Sequence, residues 1–145
     1  MKIIIEQIGP EEEEQIVVRC RNLDDSIVAL AKELKRRRDK LTVKDGERIL
    51  QVDPSEVYYF EAVDNKVFLY TKEKVYETKW KLYELEEQFG HANFIRVSKS
   101  VIMNLSKVDS FHPDFNGRYE ALMKNNERVL ISRQYVPELK KRLGI

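Results

Sequence analysis

From Leu41 onward, short runs of alternating apolar and polar residues follow one another, and most end at a turn-forming pair. Alternation with period two marks a strand with one buried face, so the pattern predicts a meander of strands. They fall near 41–44, 47–52, 57–62, 67–71, 75–79, 94–98, 106–111, 118–124 and 128–132. The separators are Asp45-Gly46, Asp64-Asn65, Glu73-Lys74, Asn116-Gly117 and Asn125-Asn126. Asp-Gly and Asn-Gly tolerate the positive φ that tight hairpin turns demand. Two helices interrupt the strands. Residues 81–88 set Leu82, Leu85 and Phe89 on one stripe and stop at Gly90. Residues 135–143 carry Pro137 in the first turn, with Leu139 and Leu143 on one face.

The first forty residues read as strand, turn, strand, helix. Residues 2–8 and 15–21 are rich in β-branched side chains and are separated by Gly9-Pro10 and four glutamates. Asp24 suits a helix N-cap, and Ile27, Leu30 or Ala31, and Leu34 recur at helical spacing. Lys35, Arg36, Arg37 and Arg38 then fall in the last turn, where cations complement the helix dipole. The expected fold is mainly β within the α+β class. Short antiparallel sheets with peripheral helices occupy 41–145, and a small β-hairpin plus helix precedes them over 1–40.

A length of 145 residues suits one domain with a small appendage. No apolar run approaches the roughly 20 residues that span a bilayer. The opening Met1-Lys2-Ile3-Ile4-Ile5-Glu6 lacks a long apolar region with a small-residue cleavage site. A cytoplasmic location is expected. Cys20 stands alone, which excludes an intramolecular disulfide and a cysteine-based metal site. Its alternation with Arg19 and Arg21 predicts an inward-facing strand position. The net charge is only +1, but residues 94–145 hold ten cations against five acids. Such asymmetry suits steering towards a polyanion.

Catalytic chemistry finds little support. His91 and His112 are far apart in sequence, and neither has a neighbouring nucleophile and carboxylate. Glu11–Glu14 read as a solvated loop, since four adjacent carboxylates make a poor calcium site. With five glycines, no phosphate-cradling loop is formed. No enzyme activity, metal, cofactor or small-molecule substrate is expected. The aromatic run Tyr58-Tyr59-Phe60, with Phe68, Tyr70, Tyr76 and Trp80, could stack on single-stranded bases or build the core. Strand alternation puts Tyr58 and Phe60 on one face, and the core reading is preferred.

The most distinctive stretch is 94–105, Phe-Ile-Arg-Val-Ser-Lys-Ser-Val-Ile-Met-Asn-Leu, echoed by Ile131-Ser132-Arg133-Gln134-Tyr135. Ile95 and Val97 alternate with Arg96 and Ser98, then Lys99 and Ser100 interrupt before a second apolar run. Cations and short donors held at a strand break suit phosphate oxygens and base edges. Taken alone, Arg96, Lys99 and Arg133 read more readily as exposed strand-edge cations.

Phe94, Arg96, Val97, Lys99, Ser100, Ile102 and Asn104, followed by Ser132, Arg133 and Tyr135, resemble the LytTR family of bacterial DNA-binding domains. The likeness covers about 41–145 and includes 57–61. Many members carry His where this chain has Ser98, which leaves the target sequence open. The resemblance implies a transcription regulator that binds double-stranded DNA through sheet-edge loops in the major groove. It implies contacts from Lys99 and Arg133, flanked by Ser98 and Ser100, with Arg96 on phosphate or in a structural pairing. Lys66, beside Asn65 in a loop that otherwise reads as a plain hairpin turn, becomes a reader or phosphate anchor. From the residues themselves, Arg118 beside the Asn116-Gly117 turn could reach phosphate as a secondary contact, and Asn104 reads as a buried amide that pins the loop after Ser100 in preference to a direct contact.

The resemblance also implies repeated target sites and DNA bending, and a homodimer is expected because a single module with few base contacts reads only a short site. Residues 1–40 are too short for the receiver domain of many such regulators. They are expected to pack on the DNA-binding unit and mediate dimerisation. Compact relatives occur beside small membrane proteins, a candidate restraining partner. The rival reading is a β-rich protein-interaction or ligand-binding module without nucleic-acid binding.

Overall fold

The computed structural model describes residues 1–36, 40–90 and 93–145. Among them, ten short strands form two antiparallel sheets. The larger contains β1 (Leu41–Asp45), β2 (Arg48–Val52), β3 (Tyr59–Val63), β4 (Lys66–Tyr70), β5 (Val75–Thr78), β6 (Phe94–Arg96) and β7 (Val101–Asn104). Its order is β2-β1-β5-β4-β3-β7-β6. The smaller contains β8 (Val108–Pro113), β9 (Tyr119–Met123) and β10 (Arg128–Ile131), with β9 in the middle. Three helices accompany them: α1 (Asp25–Arg36), α2 (Leu82–Phe89) and α3 (Val136–Leu143).

The mainly β, antiparallel expectation holds, with one strand added. The predicted strand 94–98 stops at Arg96, and the second apolar run returns as β7, pairing Phe94 with Asn104 and Arg96 with Ile102. The turn pairs behave as their chemistry requires. Asp64 and Asn65 both take positive φ (50° and 64°), as do Asn116 and Gly117 (62° and 77°).

The predicted N-terminal hairpin is not formed. Residues 2–8 and 15–21 make no strand ladder, although a turn is closed by Glu12 N–H donating to the Gly9 carbonyl at 3.2 Å. An isolated two-stranded hairpin is marginal in water, and four adjacent glutamates in the connection add repulsion. Both segments are largely exposed, with Val18 half-buried, and Cys20 is exposed too. The helix forms as predicted: Asp24 Oδ1 accepts from the Ser26 hydroxyl at 2.6 Å and from Ile27 N–H at 3.0 Å. These bonds hold the Asp24 carboxyl below its usual range. Arg37, Arg38 and His91 lie outside the described residues.

The core has two parts on opposite faces of the larger sheet. On one face Leu82, Leu85 and Phe89 of α2 pack against Phe60, Phe94 and Ile102. On the other, Ile95, Val97 and Met103 meet Ala121, Met123 and Ile131 of the smaller sheet, with Val136 and Leu139 of α3. β7 therefore sends Ile102 one way and Met103 the other. Tyr58 and Phe60 do not share a face as alternation suggests, since Tyr58 precedes β3 and turns into the second part.

Asn104 fixes this junction. Its amide nitrogen donates to the Val57 carbonyl at 2.8 Å, while its Oδ1 accepts from Ser106 N–H at 3.0 Å and the Ser106 hydroxyl at 2.7 Å. It therefore pins the entry to β3 and the exit of β7, and these bonds do not reach the loop after Ser100. Asn104→Leu strands the buried Val57 carbonyl, at an expected cost of about 1–3 kcal/mol. Urea unfolding measures it, and a loss below about 0.5 kcal/mol would contradict this role.

Tyr59 stacks on Tyr70 with ring centroids 4.2 Å apart. Burial first, then a hydrogen bond to Glu127, raises the Tyr59 pKa above the ordinary tyrosine value. The fold thus favours neutral Tyr59: its contribution is complete below about pH 10 and is lost as pH rises above that. Tyr59→Phe should flatten the decline of thermal stability between about pH 9 and 11. An unchanged decline would assign it to other groups.

Candidate nucleic-acid interface

Four chain segments converge at one end of the two sheets. The β3–β4 turn holds Asp64 and Asn65, with Lys66 opening β4 opposite Val63. One residue back, Ala62 N–H donates to the Ser100 carbonyl at 2.8 Å, which sets the β6–β7 loop beside that turn. The smaller sheet joins through Ser132 N–H, which donates to the Val97 carbonyl at 2.8 Å. That bond carries Arg133 to the same loop. The β8–β9 turn completes the end, because a Cβ added at Gly117 would lie 3.1 Å from Arg133 Cδ. Asn65, Lys66, Arg96, Ser98, Lys99, Ser100, Arg118 and Arg133 are thereby gathered from four separate stretches of sequence.

Their side chains differ in availability. Lys66, Lys99 and Arg133 are exposed at the tips. Ser98 and Ser100 are half-buried and brace the loop: the Ser98 hydroxyl accepts from Ser100 N–H at 3.2 Å, with the two hydroxyl oxygens 3.4 Å apart. Arg118 donates from Nε to the Phe115 carbonyl at 3.2 Å and lies 3.9 Å from the Asp114 carboxylate. Ser98, Ser132, Arg128, Glu61, Val101 and Tyr59 help to line a cleft of about 280 Å³ between the sheets.

Arg96 is differently placed. It opposes Ile102 in β6–β7 and lies on the α2 face, where its Nη1 pairs with Glu86 Oε2 at 2.8 Å. Its Nε donates to the Ser98 carbonyl at 2.8 Å and its Nη2 to the Lys99 carbonyl. The guanidinium thus spans from α2 to the backbone that presents Lys99. Of the two roles left open for Arg96, phosphate contact or structural pairing, this geometry displays the pairing.

Two participants escaped the sequence reading. Glu86 lies on α2, and nothing local in sequence links it to Arg96 ten residues on. Phe115 is 82% exposed on the turn that carries Arg118, with its N–H held by Asp114 Oδ1 at 2.8 Å. A large aromatic amid Asp, Asn and Gly was the available signal. Chemically, this end offers exposed cations and short hydroxyl donors on braced loops, with no helix needed to present them. Such groups match phosphate oxygens and the acceptor edges of bases.

Comparison with known proteins points the same way. Residues 47–144 match the family described as the LytTr DNA-binding domain. The chain is 37% identical over 106 residues to the sensory transduction protein LytT of Bacillus anthracis, covering 73% of this chain and 43% of that protein. It is 29% identical over 135 residues to LytT of Bacillus subtilis, covering 93% of this chain and 56% of that one. A Staphylococcus aureus protein named as an uncharacterized HTH-type transcriptional regulator shares 32% identity over 94 residues, 65% of this chain and 63% of its own. The chain thus spans about half the length of the LytT proteins it matches. Among solved structures, a LytTr DNA-binding domain from Bacillus cereus superposes with a TM-score of 0.71 at 30% identity, covering 74% of this chain and 99% of that one. Motif, fold and matched length agree: this chain belongs to the LytTR family of DNA-binding domains.

Proposed function

We propose that the chain is a transcription regulator that binds double-stranded DNA with the loop end of its sheets inserted in the major groove. The convergence of exposed Lys66, Lys99 and Arg133, with Arg118 beside them, carries this reading. Arg133 is assigned to base readout, because its planar fork can bond guanine O6 and N7 together. Lys99 contacts base or phosphate, and Lys66 and Arg118 contact phosphate. Asn65 shapes its turn, and Ser98 and Ser100 brace the Lys99 loop and face the duplex. Arg96 acts as a positioning residue that holds the Ser98 and Lys99 carbonyls. Two copies bound to repeated sites, with bending between them, extend a recognition surface that is short in a single module. The family resemblance adds a small membrane protein as a candidate restraining partner.

The exposed single-strand platform is not favoured, because Tyr58 and Phe60 are both buried. Binding of labelled duplex by fluorescence anisotropy across a salt series tests the proposal. The wild-type chain should bind at low salt, with log K falling linearly as log salt rises. Lys99→Ala should weaken binding and reduce that slope by about one if Lys99 sits on phosphate. Arg133→Ala should cost about 1–3 kcal/mol on a selected site and relax its sequence preference. No binding at low salt, or wild-type binding by the double variant, would defeat the proposal and favour a protein-interaction module.

Arg96→Gln separates positioning from phosphate contact. Binding should weaken while the salt slope stays at its wild-type value. A slope smaller by about one would return Arg96 to the phosphate contacts.

A further inference from the structure

The N-terminal segment carries apolar side chains that no other described residue covers. Ile3, Ile4, Ile5, Ile16, Val17 and Leu23 are each between 63% and 91% exposed. They lie outside any strand ladder, so their peptide groups also lack strand partners. Ladder pairing is available from another extended segment, and β-branched residues favour it.

The sequence of this segment is complementary to itself. When two copies of residues 2–6 run antiparallel with Ile4 opposite Ile4, Ile3 meets Ile5 and Lys2 meets Glu6. Every position finds an apolar or opposite-charge partner. Shifting the two-fold centre to Ile3 or Ile5 pairs Lys2 or Glu6 with an isoleucine. A two-fold interface requires such self-complementarity, since the same surface is used on both sides. Directly opposed residues in antiparallel strands lie about 4.5–5.5 Å apart at Cβ, within reach of these contacts.

We infer that residues 2–6 pair antiparallel with the same segment of a second copy, centred on Ile4, and that this pairing holds the homodimer. The inference rests on the dimeric reading proposed above and supplies its interface. Two strands alone are marginal, so the adjoining exposed residues of 15–23 and the half-buried stripe of α1 (Ile27, Val28, Leu30, Ala31 and Leu34) close over the pair. At roughly 60–120 Å² for each covered aliphatic side chain, the six residues of two copies supply on the order of 1,000 Å² of apolar surface. A standard interface buries about 1,200–2,000 Å² in total, of which somewhat over half is apolar.

Sedimentation equilibrium of the full chain tests the pairing. The wild-type protein should have the mass of a dimer, and Ile4→Lys should raise its dissociation constant at least tenfold. Lys2→Glu should weaken the dimer several-fold, and Lys2→Glu with Glu6→Lys should restore it. With Cys20→Ser in the background, Ile4→Cys should form an interchain disulfide under mild oxidation by oxidised glutathione. Ile8→Cys, which has no opposed residue in this register, should not. If the wild type is dimeric but Ile4→Lys leaves the dissociation constant unchanged, the dimer uses another surface and only this inference falls. A monomeric wild type overturns both the inference and the dimeric reading, as it would if the arm lay on the open edge of β2 in its own chain. Binding of a short duplex by monomeric Ile4→Lys at low salt keeps DNA recognition distinct from both outcomes.

Discussion

The bond from Ser132 N–H to the Val97 carbonyl sets the geometry of the loop end of this fold. It ties the smaller sheet to the larger one at the point where both release their functional loops. Arg133 follows immediately after the donor, and Ser98 immediately after the acceptor. Behind the bond, Val97 and Ile131 are fully buried in the same half of the core. A backbone hydrogen bond is short-ranged and directional, so it places Arg133 beside the Lys99 loop with little latitude. Loops ordinarily lose precision relative to helices and strands. Here precision comes from anchoring each loop at its root to a buried strand.

The same logic explains why a chain of net charge +1 suits a polyanionic partner. The surplus of cations is concentrated in residues 94–145, and several of them reach the loop end through topology. Arg96 illustrates how charge divides between support and display. Its guanidinium is committed to Glu86 and to the carbonyls of Ser98 and Lys99, so the adjacent Lys99 is the cation that remains outward. Gly117 contributes by what it lacks: its positive φ and its contact with the Arg133 stem leave little room for a Cβ.

Much of the DNA-binding half was legible in the residues. Asp64-Asn65 and Asn116-Gly117 signalled their turns because few other pairs accept positive φ twice. Leu82, Leu85 and Phe89 marked α2 by helical spacing, and all three are buried. The gathering of Lys66, Lys99, Arg118 and Arg133 was legible only through family resemblance, since no local pattern encodes a contact between residues 117 and 133. What stayed hidden depends on distant partners. Arg96 meets Glu86 on the facing helix, and Tyr58 leaves the expected face because it precedes β3 and turns into the other half of the core. The arm was misread for a related reason. Residues 2–8 and 15–21 carry genuine strand propensity, but propensity specifies neither which strand is paired nor whether it belongs to the same chain.

If four separated segments form one recognition surface, duplex titration followed by backbone amide chemical shifts will read them as a unit. Amides of 64–66, 98–100, 116–118 and 132–133 should shift together with one apparent affinity. Amides of 72–74 and 124–126, turns at the opposite end that also carry lysines, should stay in place. Shifts confined to one of the four segments, or centred on the opposite turns, would contradict it.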